Sequence, residues 1–297
     1  MTAREGQTLA GEGLLARYVN FVRLPHTVFA LPFALIGVVL ASFIYPITLR
    51  TLGLVVLAFT AGRFVAMGFN RIADRDLDAR NPRTRGRELP AGRLTVAQAW
   101  TAVLVAAAVF EWAAWALNPL CFALSPVALA IVTLYSYAKR FTWWSHVWLG
   151  FGDAIAGPAG FLAVSGRWSE PAWLLWVLAA AVTFWVGGFD VFYALQDEQF
   201  DRSEGLHSAV VRLGRRGGIL FGKILHGLAL AALVALGWGA GLGAPYYAGV
   251  AVGAALIVYE HRLVRPDDLS RLNAAFFTVN GIVSVVVFAG ALVDRLT

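Results

Sequence analysis

Asn70, Asp74 and Asp78 recur every four residues within Gly68-Phe69-Asn70-Arg71-Ile72-Ala73-Asp74-Arg75-Asp76-Leu77-Asp78. On a helix this spacing brings the three side chains onto one face, while Asp76 points away. Asp190, Asp197 and Asp201, separated by seven and by four, repeat the device more than a hundred residues later. A row of oxygen donors suits a hard cation. Mg2+ keeps several waters, takes one or two carboxylates and completes its shell with phosphate oxygens, so the chemistry implied is the holding of a metal-diphosphate complex. One such series alone reads equally well as an acidic helix end neutralised by neighbouring arginines. Two of them argue for facing halves of a single site.

Other charged residues could serve the same site. Arg63 lies seven residues before Asn70, two helical turns deeper on the same face of an apolar segment. A charge there is costly and faces a cavity or a partner. Two roles stay open for it: orienting a second substrate, or pairing structurally with Asp190 or Glu111. Glu111 and Asp153 also fall inside apolar segments, without a motif that selects between a structural contact and a cavity-lining role. Lys139 and Arg140 follow Tyr135-Ser136-Tyr137 and precede Thr142, Trp143 and Trp144. Such cations would neutralise a departing diphosphate while the aromatics stabilise a nearby positive charge. The competing reading is a basic anchor within an interfacial aromatic belt, and Arg23 and the arginines of the second loop, Arg71 to Arg93, invite the same pair of readings. The one cysteine, Cys121, reads as a small core residue.

The elements that must position these residues follow from composition. The chain has 297 residues, 59% of them hydrophobic and 14% charged, with a mean hydropathy of +0.68. Soluble domains do not show this profile. Apolar stretches long enough to cross a hydrocarbon core recur along the whole chain. The pattern predicts an all-α polytopic membrane protein, a single domain over 1–297 with nine transmembrane helices. Those helices are expected near 26–44, 51–74, 95–117, 119–138, 145–165, 171–196, 218–240, 245–262 and 273–293. Residues 1–25 form an N-terminal cytoplasmic or interfacial segment, in which Leu14, Leu15, Tyr18, Val19 and Val22 recur at helical spacing.

The net charge of +6 would be compatible with nucleic acid in a soluble chain, but its placement excludes that reading here. Twenty of the 24 Lys and Arg residues fall in the N-terminus and the even-numbered loops; Arg50, Arg167 and Arg295 lie opposite, and Arg63 lies inside a span. The positive-inside rule then puts the N-terminus in the cytoplasm and the C-terminus outside the cell inner membrane. Both acidic series end up on the cytoplasmic side. Loops of about twenty residues follow each of them, a length that is usually functional.

Together these segments resemble the UbiA-type intramembrane aromatic prenyltransferases, in particular the 4-hydroxybenzoate polyprenyltransferase-like branch. The resemblance rests on Asn70-x-x-x-Asp74-x-x-x-Asp78 followed by Asn81-Pro82-Arg83-Thr84-x-Gly86-Arg87-x-Leu89-Pro90-x-Gly92. It also rests on Tyr135-Ser136-Tyr137-x-Lys139-Arg140, Tyr193-x-x-x-Asp197-x-x-x-Asp201 and Gly205-Leu206-His207-Ser208. It implies nine transmembrane helices around a central cavity. It also implies Mg2+-dependent transfer of a polyprenyl group from a polyprenyl diphosphate to an aromatic acid acceptor such as 4-hydroxybenzoate or another quinone precursor. By the same resemblance, Asn70, Asp74 and Asp78 would hold one Mg2+ and Asp197 with Asp201 another. Lys139, Arg140 and Arg23 would contact the diphosphate, with Tyr193 beside them as a substrate-binding residue, and Arg63 and Asp190 would position the acceptor. Arg71 departs from the pattern, because many members carry an acidic residue there. A transporter or channel, and a phosphotransferase acting on nucleotide-activated alcohols, are the alternatives. The first would spread its polar residues through the membrane depth, and the second would concentrate its acids in one motif.

Overall fold

The structure, a computed structural model, describes residues 9, 11, 13–23, 27–269, 271, 272 and 278–297. Among them the chain is helical throughout, with no strand beyond an isolated bridge between Arg265 and Asp268. The interfacial segment forms α1 (Leu14–Phe21), and the long apolar runs form α2 (Thr27–Ser42), α3 (Leu49–Ala73), α5 (Val96–Leu117) and α6 (Pro119–Leu134). A short α4 (Arg75–Arg80) follows α3. The second half comprises α7 (Ser145–Ala154), α8 (Ala156–Ser165), α9 (Trp173–Ala194), the short α10 (Glu198–Ser203), α11 (Ala209–Gly239), α12 (Ala244–Leu263) and α13 (Asn280–Leu296). Among the described residues, six helical stretches are long and apolar enough to cross a membrane: Leu49–Ala73, Val96–Leu117, Pro119–Arg140, Ser145–Ser165, Trp173–Ser203 and Ala209–Gly239.

Several expected boundaries are corrected. The expected span 145–165 keeps both its ends but is interrupted at Ile155, where Pro158 has no N–H for the Ala154 carbonyl and the helix divides in two. The expected start at 218 moves back to Ala209. There Ser208 caps the helix by accepting from the Val211 N–H at 3.1 Å, and a kink at Gly214 (φ 70°, ψ 172°) separates the short first section, Ala209 to Leu213, from the long run that follows. The helix expected over 119–138 tightens after Leu134 into a 3-10 turn, Tyr135–Arg140. The expected starts at 26 and 273 lie outside the described residues.

The helices close into a ring. Contacts run from α2 to α13, α12, α11, α9, α7, α6, α5 and α3, and from α3 back to α2. Small residues let neighbouring backbones meet: a Cβ at Gly160 would collide with the Ala34 carbonyl, and one at Gly37 with that of Gly157. Phe33, Trp185, Leu178, Leu236 and Tyr246 fill the largest apolar cluster, where the buried Tyr246 hydroxyl donates to the Leu233 carbonyl at 2.9 Å. Outside, Trp100, Leu104, Trp112, Trp115 and Phe122 are exposed along α5 and α6, the surface expected where the solvent is lipid. The ring leaves its polar cleft at one end, where α3, α6 and α9 give way to short turns.

Candidate active site

Both acidic series sit where a long helix stops. The helix α3 ends at Ala73, Asp74 leaves helical geometry (φ −98°, ψ 7°), and α4 restarts at Arg75. The expected uninterrupted helical row is therefore broken at its middle residue. Its register survives, because the Asp74 N–H reaches the Asn70 carbonyl at 2.9 Å and the Asp78 N–H reaches the Asp74 carbonyl at 2.7 Å. In the second series α9 carries Asp190, a 3-10 turn ends on Asp197, and α10 carries Asp201. Asn70, Asp74, Asp78, Asp190, Asp197 and Asp201 all line one cleft of about 180 Å3. Asp76 is mostly exposed, as its position between the others requires.

Four cations stand among these carboxylates. Arg83 grips Asp197 with two hydrogen bonds, Nε to Oδ1 at 2.8 Å and Nη2 to Oδ2 at 2.5 Å. Asn81 adds a third to the same carboxylate at 3.1 Å. Arg87 Nη1 donates to Asp78 Oδ1 at 2.6 Å, Arg140 Nη2 reaches Asp74 Oδ1 at 3.3 Å, and Lys139 Nζ stands 3.8 Å from Asp201 Oδ2. Asn70 Nδ2 donates to Asp74 Oδ2 at 3.0 Å. Burial, and secondarily the neighbouring Asp78, push the Asp74 carboxyl above the ordinary carboxylate range, against the pull of Lys139 and Arg140. The Tyr193 hydroxyl accepts from Arg83 Nη1 at 3.1 Å and from Arg23 Nη1 at 3.4 Å, so Arg23 reaches the cleft wall through a tyrosine.

Asp78 Oδ2 and Asp201 Oδ2 are buried without a hydrogen bond among the described residues, with Arg71 Nη1 3.9 Å from the first and Lys139 Nζ 3.8 Å from the second. Buried lone pairs of this kind are costly unless a ligand takes them. One oxygen comes from each series, which fits a divalent cation on either side of a shared anion. Among the described residues no group of three or more His, Cys, Asp or Glu side chains forms a cage for a metal. Mg2+ takes one or two carboxylates and completes its shell with water and phosphate, so carboxylates such as Asp78 and Asp201 fit it without a protein cage.

Deeper in the bundle the pairings differ from those expected. Arg63 pairs with neither Asp190 nor Glu111; its Nη1 donates to Asp153 Oδ1 at 2.7 Å, and its buried Nε has no hydrogen bond. Glu111 instead accepts from Ser125 Oγ at 2.5 Å. Asp190 is held by His146, whose Nδ1 lies 2.6 Å from Oδ2. Arg83 and Arg87, two of the second-loop arginines open to a diphosphate-neutralising role, thus stand in the cleft. Asp153, a charge inside an apolar segment without an assigned role, is the partner of Arg63. His146 belongs to the support of the site although nothing in the sequence signalled it.

The chain is similar to known proteins along most of its length. Residues 30–282 match the UbiA prenyltransferase family. A 4-hydroxybenzoate octaprenyltransferase of Alkalilimnicola ehrlichii is 35% identical over 246 residues, covering 83% of this chain and 82% of that protein. One from Vibrio campbellii is 30% identical over 243 residues, with 80% and 84% covered. Among solved structures, an apo UbiA homologue from Aeropyrum pernix superposes with a TM-score of 0.84 at 35% identity, over 92% of this chain and 98% of that one. A UbiA homologue from Archaeoglobus fulgidus bound to GPP and Mg2+ shares the fold, with a TM-score of 0.67 at 18% identity over 95% of this chain and all of that one. From the acidic series at two helix ends to the matches along most of its length, this chain belongs to the UbiA prenyltransferase family.

Proposed function

We propose that this protein is an integral-membrane aromatic prenyltransferase of nine spans that moves a polyprenyl group from its diphosphate to a hydroxylated aromatic acid, 4-hydroxybenzoate or a related quinone precursor. The observation that carries this reading is the cleft itself: two acidic series face one another, each with a buried and unpartnered carboxylate oxygen, among four cations. The acceptor class follows the names of the relatives. The six long apolar stretches are joined in the count of nine by α2, α12 and α13. By the distribution of Lys and Arg the N-terminus and the cleft are cytoplasmic, in the inner membrane, and the C-terminus is outside.

Asn70, Asp74 and Asp78 on one wall and Asp197 with Asp201 on the other would hold Mg2+. When bound, Mg2+ would supply positive charge to the diphosphate and make it a better leaving group. The residues of the chain do the remaining work. Arg83, Arg87, Lys139 and Arg140 neutralise carboxylates at 2.5–3.8 Å, and the same four cations would hold the phosphate oxygens of a bound diphosphate. The carbon–oxygen bond at the prenyl terminus breaks with its electron pair leaving on the diphosphate. The acceptor ring attacks the resulting allylic cation, and loss of the ring proton restores aromaticity. Tyr135 and Tyr193 line the cleft where that cation forms, and their ring faces suit it. Asp190 accepts a hydrogen bond from the acceptor hydroxyl, and Arg63 supplies positive charge beyond it.

The lipid surroundings serve the donor, since each buried methylene of the tail is worth about 0.8 kcal/mol. Purified protein incubated with labelled polyprenyl diphosphate, Mg2+ and a panel of aromatic acids tests the proposal. A product with the mass of acceptor plus prenyl group less one hydrogen is expected. Unchanged diphosphate with every acceptor of the panel would reject it.

A further inference from the structure

His146 lies outside every motif of the chain, yet it touches the one carboxylate of the cleft that belongs to neither metal-holding set. Its side chain is fully buried, while Asp190 lines the cleft and stays partly exposed. The two nitrogens of the ring have different partners. Nε2 faces the backbone N–H of Ala209 at 3.3 Å, and Nδ1 faces Asp190 Oδ2 at 2.6 Å. A backbone N–H can only donate, so Nε2 must present a lone pair. The ring is therefore neutral with its proton on Nδ1, and that proton is given to Asp190. Both nitrogens are spent, which leaves the imidazole no capacity for proton transfer with a substrate.

What the bond does achieve is orientation. A carboxylate on a spanning helix can rotate about its side-chain torsions, and a hydrogen bond from a buried, immobile ring stops it. With Oδ2 taken, Oδ1 has no hydrogen bond among the described residues, and it belongs to a residue lining the cleft. The support is rigid on both sides. His146 stands on α7, whose Gly150 lets the backbone of α7 meet that of α9 at Thr183, and the Ala209 N–H is the first of α11.

We infer that His146 is the positioning residue for the aromatic acceptor: its Nδ1–H fixes Asp190 so that Oδ1 is presented to the acceptor hydroxyl. This inference rests on the reading of the protein as an aromatic prenyltransferase. It also differs from a purely structural role, in which His146 only satisfies the first N–H of α11.

Two amides separate the roles, because the amide nitrogen of Asn overlies Nδ1 of histidine and the amide group of Gln overlies Nε2. His146→Asn keeps the donor to Asp190 and loses the Ala209 contact; His146→Gln does the reverse. Steady-state kinetics with 4-hydroxybenzoate and a polyprenyl diphosphate should show the acceptor KM of His146→Gln raised at least about tenfold with the diphosphate KM little changed, and His146→Asn restoring most of it. Asp190→Asn combined with His146→Gln should cost little more than Asp190→Asn alone. An unchanged acceptor KM in His146→Gln, equal losses in the two amide variants, or full additivity in the double variant would each overturn the inference. If either amide variant fails to fold, the thermal melting of the other and its acceptor KM still decide between orientation and capping. Failure of the wild-type protein to prenylate any acceptor would instead strike the proposed function.

Discussion

Arg83 and Asp197 share two hydrogen bonds across the mouth of the cleft, 114 residues apart in the chain, with the arginine 16% and the aspartate 9% exposed. A guanidinium thus occupies the carboxylate that the metal would use. The pair joins the loop after α4 to the turn after α9, so it closes the two halves of the site while neutralising one of them.

Arg83→Ala should therefore destabilise the protein, since removing one partner of a largely buried pair typically costs about 3 kcal/mol. Mg2+ can replace the missing charge. Thermal melting in EDTA and in Mg2+ should show a wider gap for the variant than for the wild type, together with a raised KM for the diphosphate. An equal gap would mean that Asp197 does not meet the metal.

Arg63 and Asp153 form a second ion pair, this one inside the spanning region. Either Arg63→Ala or Asp153→Ala leaves a charge without a counter-ion and should lower stability by about 3 kcal/mol, whereas the double variant should recover part of the loss. Kinetics add an independent check: Arg63→Ala should raise the acceptor KM more than the diphosphate KM.

Backbone contact at the small residues of α2 and α8 gives a prediction about the fold alone. A side chain at Gly160 must displace the Ala34 carbonyl, so Gly160→Val should abolish a folded, detergent-stable product in size-exclusion chromatography. Gly53→Ala on α3 meets nothing within 4 Å and should leave stability unchanged or raise it by up to about 1 kcal/mol.

Metal removal should abolish turnover. Exhaustive EDTA treatment is expected to stop product formation and added Mg2+ to restore it, because Asp78 Oδ2 and Asp201 Oδ2 are then left without a ligand. Undiminished turnover in metal-free buffer would contradict the two-series site.

Much of this was legible in the sequence, for reasons that particular residues make clear. Long apolar runs announce α3, α5, α9 and the apolar part of α11, and Asn118-Pro119 and Gly243-Ala244-Pro245 announce the turns between helices. The four-residue spacing exposed the acidic series, and the structure keeps their shared face even though Asp74 interrupts the helix. Pro158 was overlooked inside an otherwise continuous apolar run, and Arg212, Arg215 and Arg216 disguised the first turns of α11 as loop. Partners were the least legible. Periodicity reports the face of one helix, whereas Arg83 with Asp197, Arg63 with Asp153 and His146 with Asp190 are set by how different helices pack.

The most direct test of the central claim is the rate of prenylated product formed by Asp74→Ala and Asp197→Ala beside the wild type, with each protein first shown to be folded by its elution and melting in detergent. Loss of one carboxylate from either wall should reduce kcat/KM by at least about a thousandfold, roughly 4 kcal/mol of transition-state stabilisation. Near-normal turnover in both variants would contradict the account, because the diphosphate would then be held somewhere other than between these two acidic series.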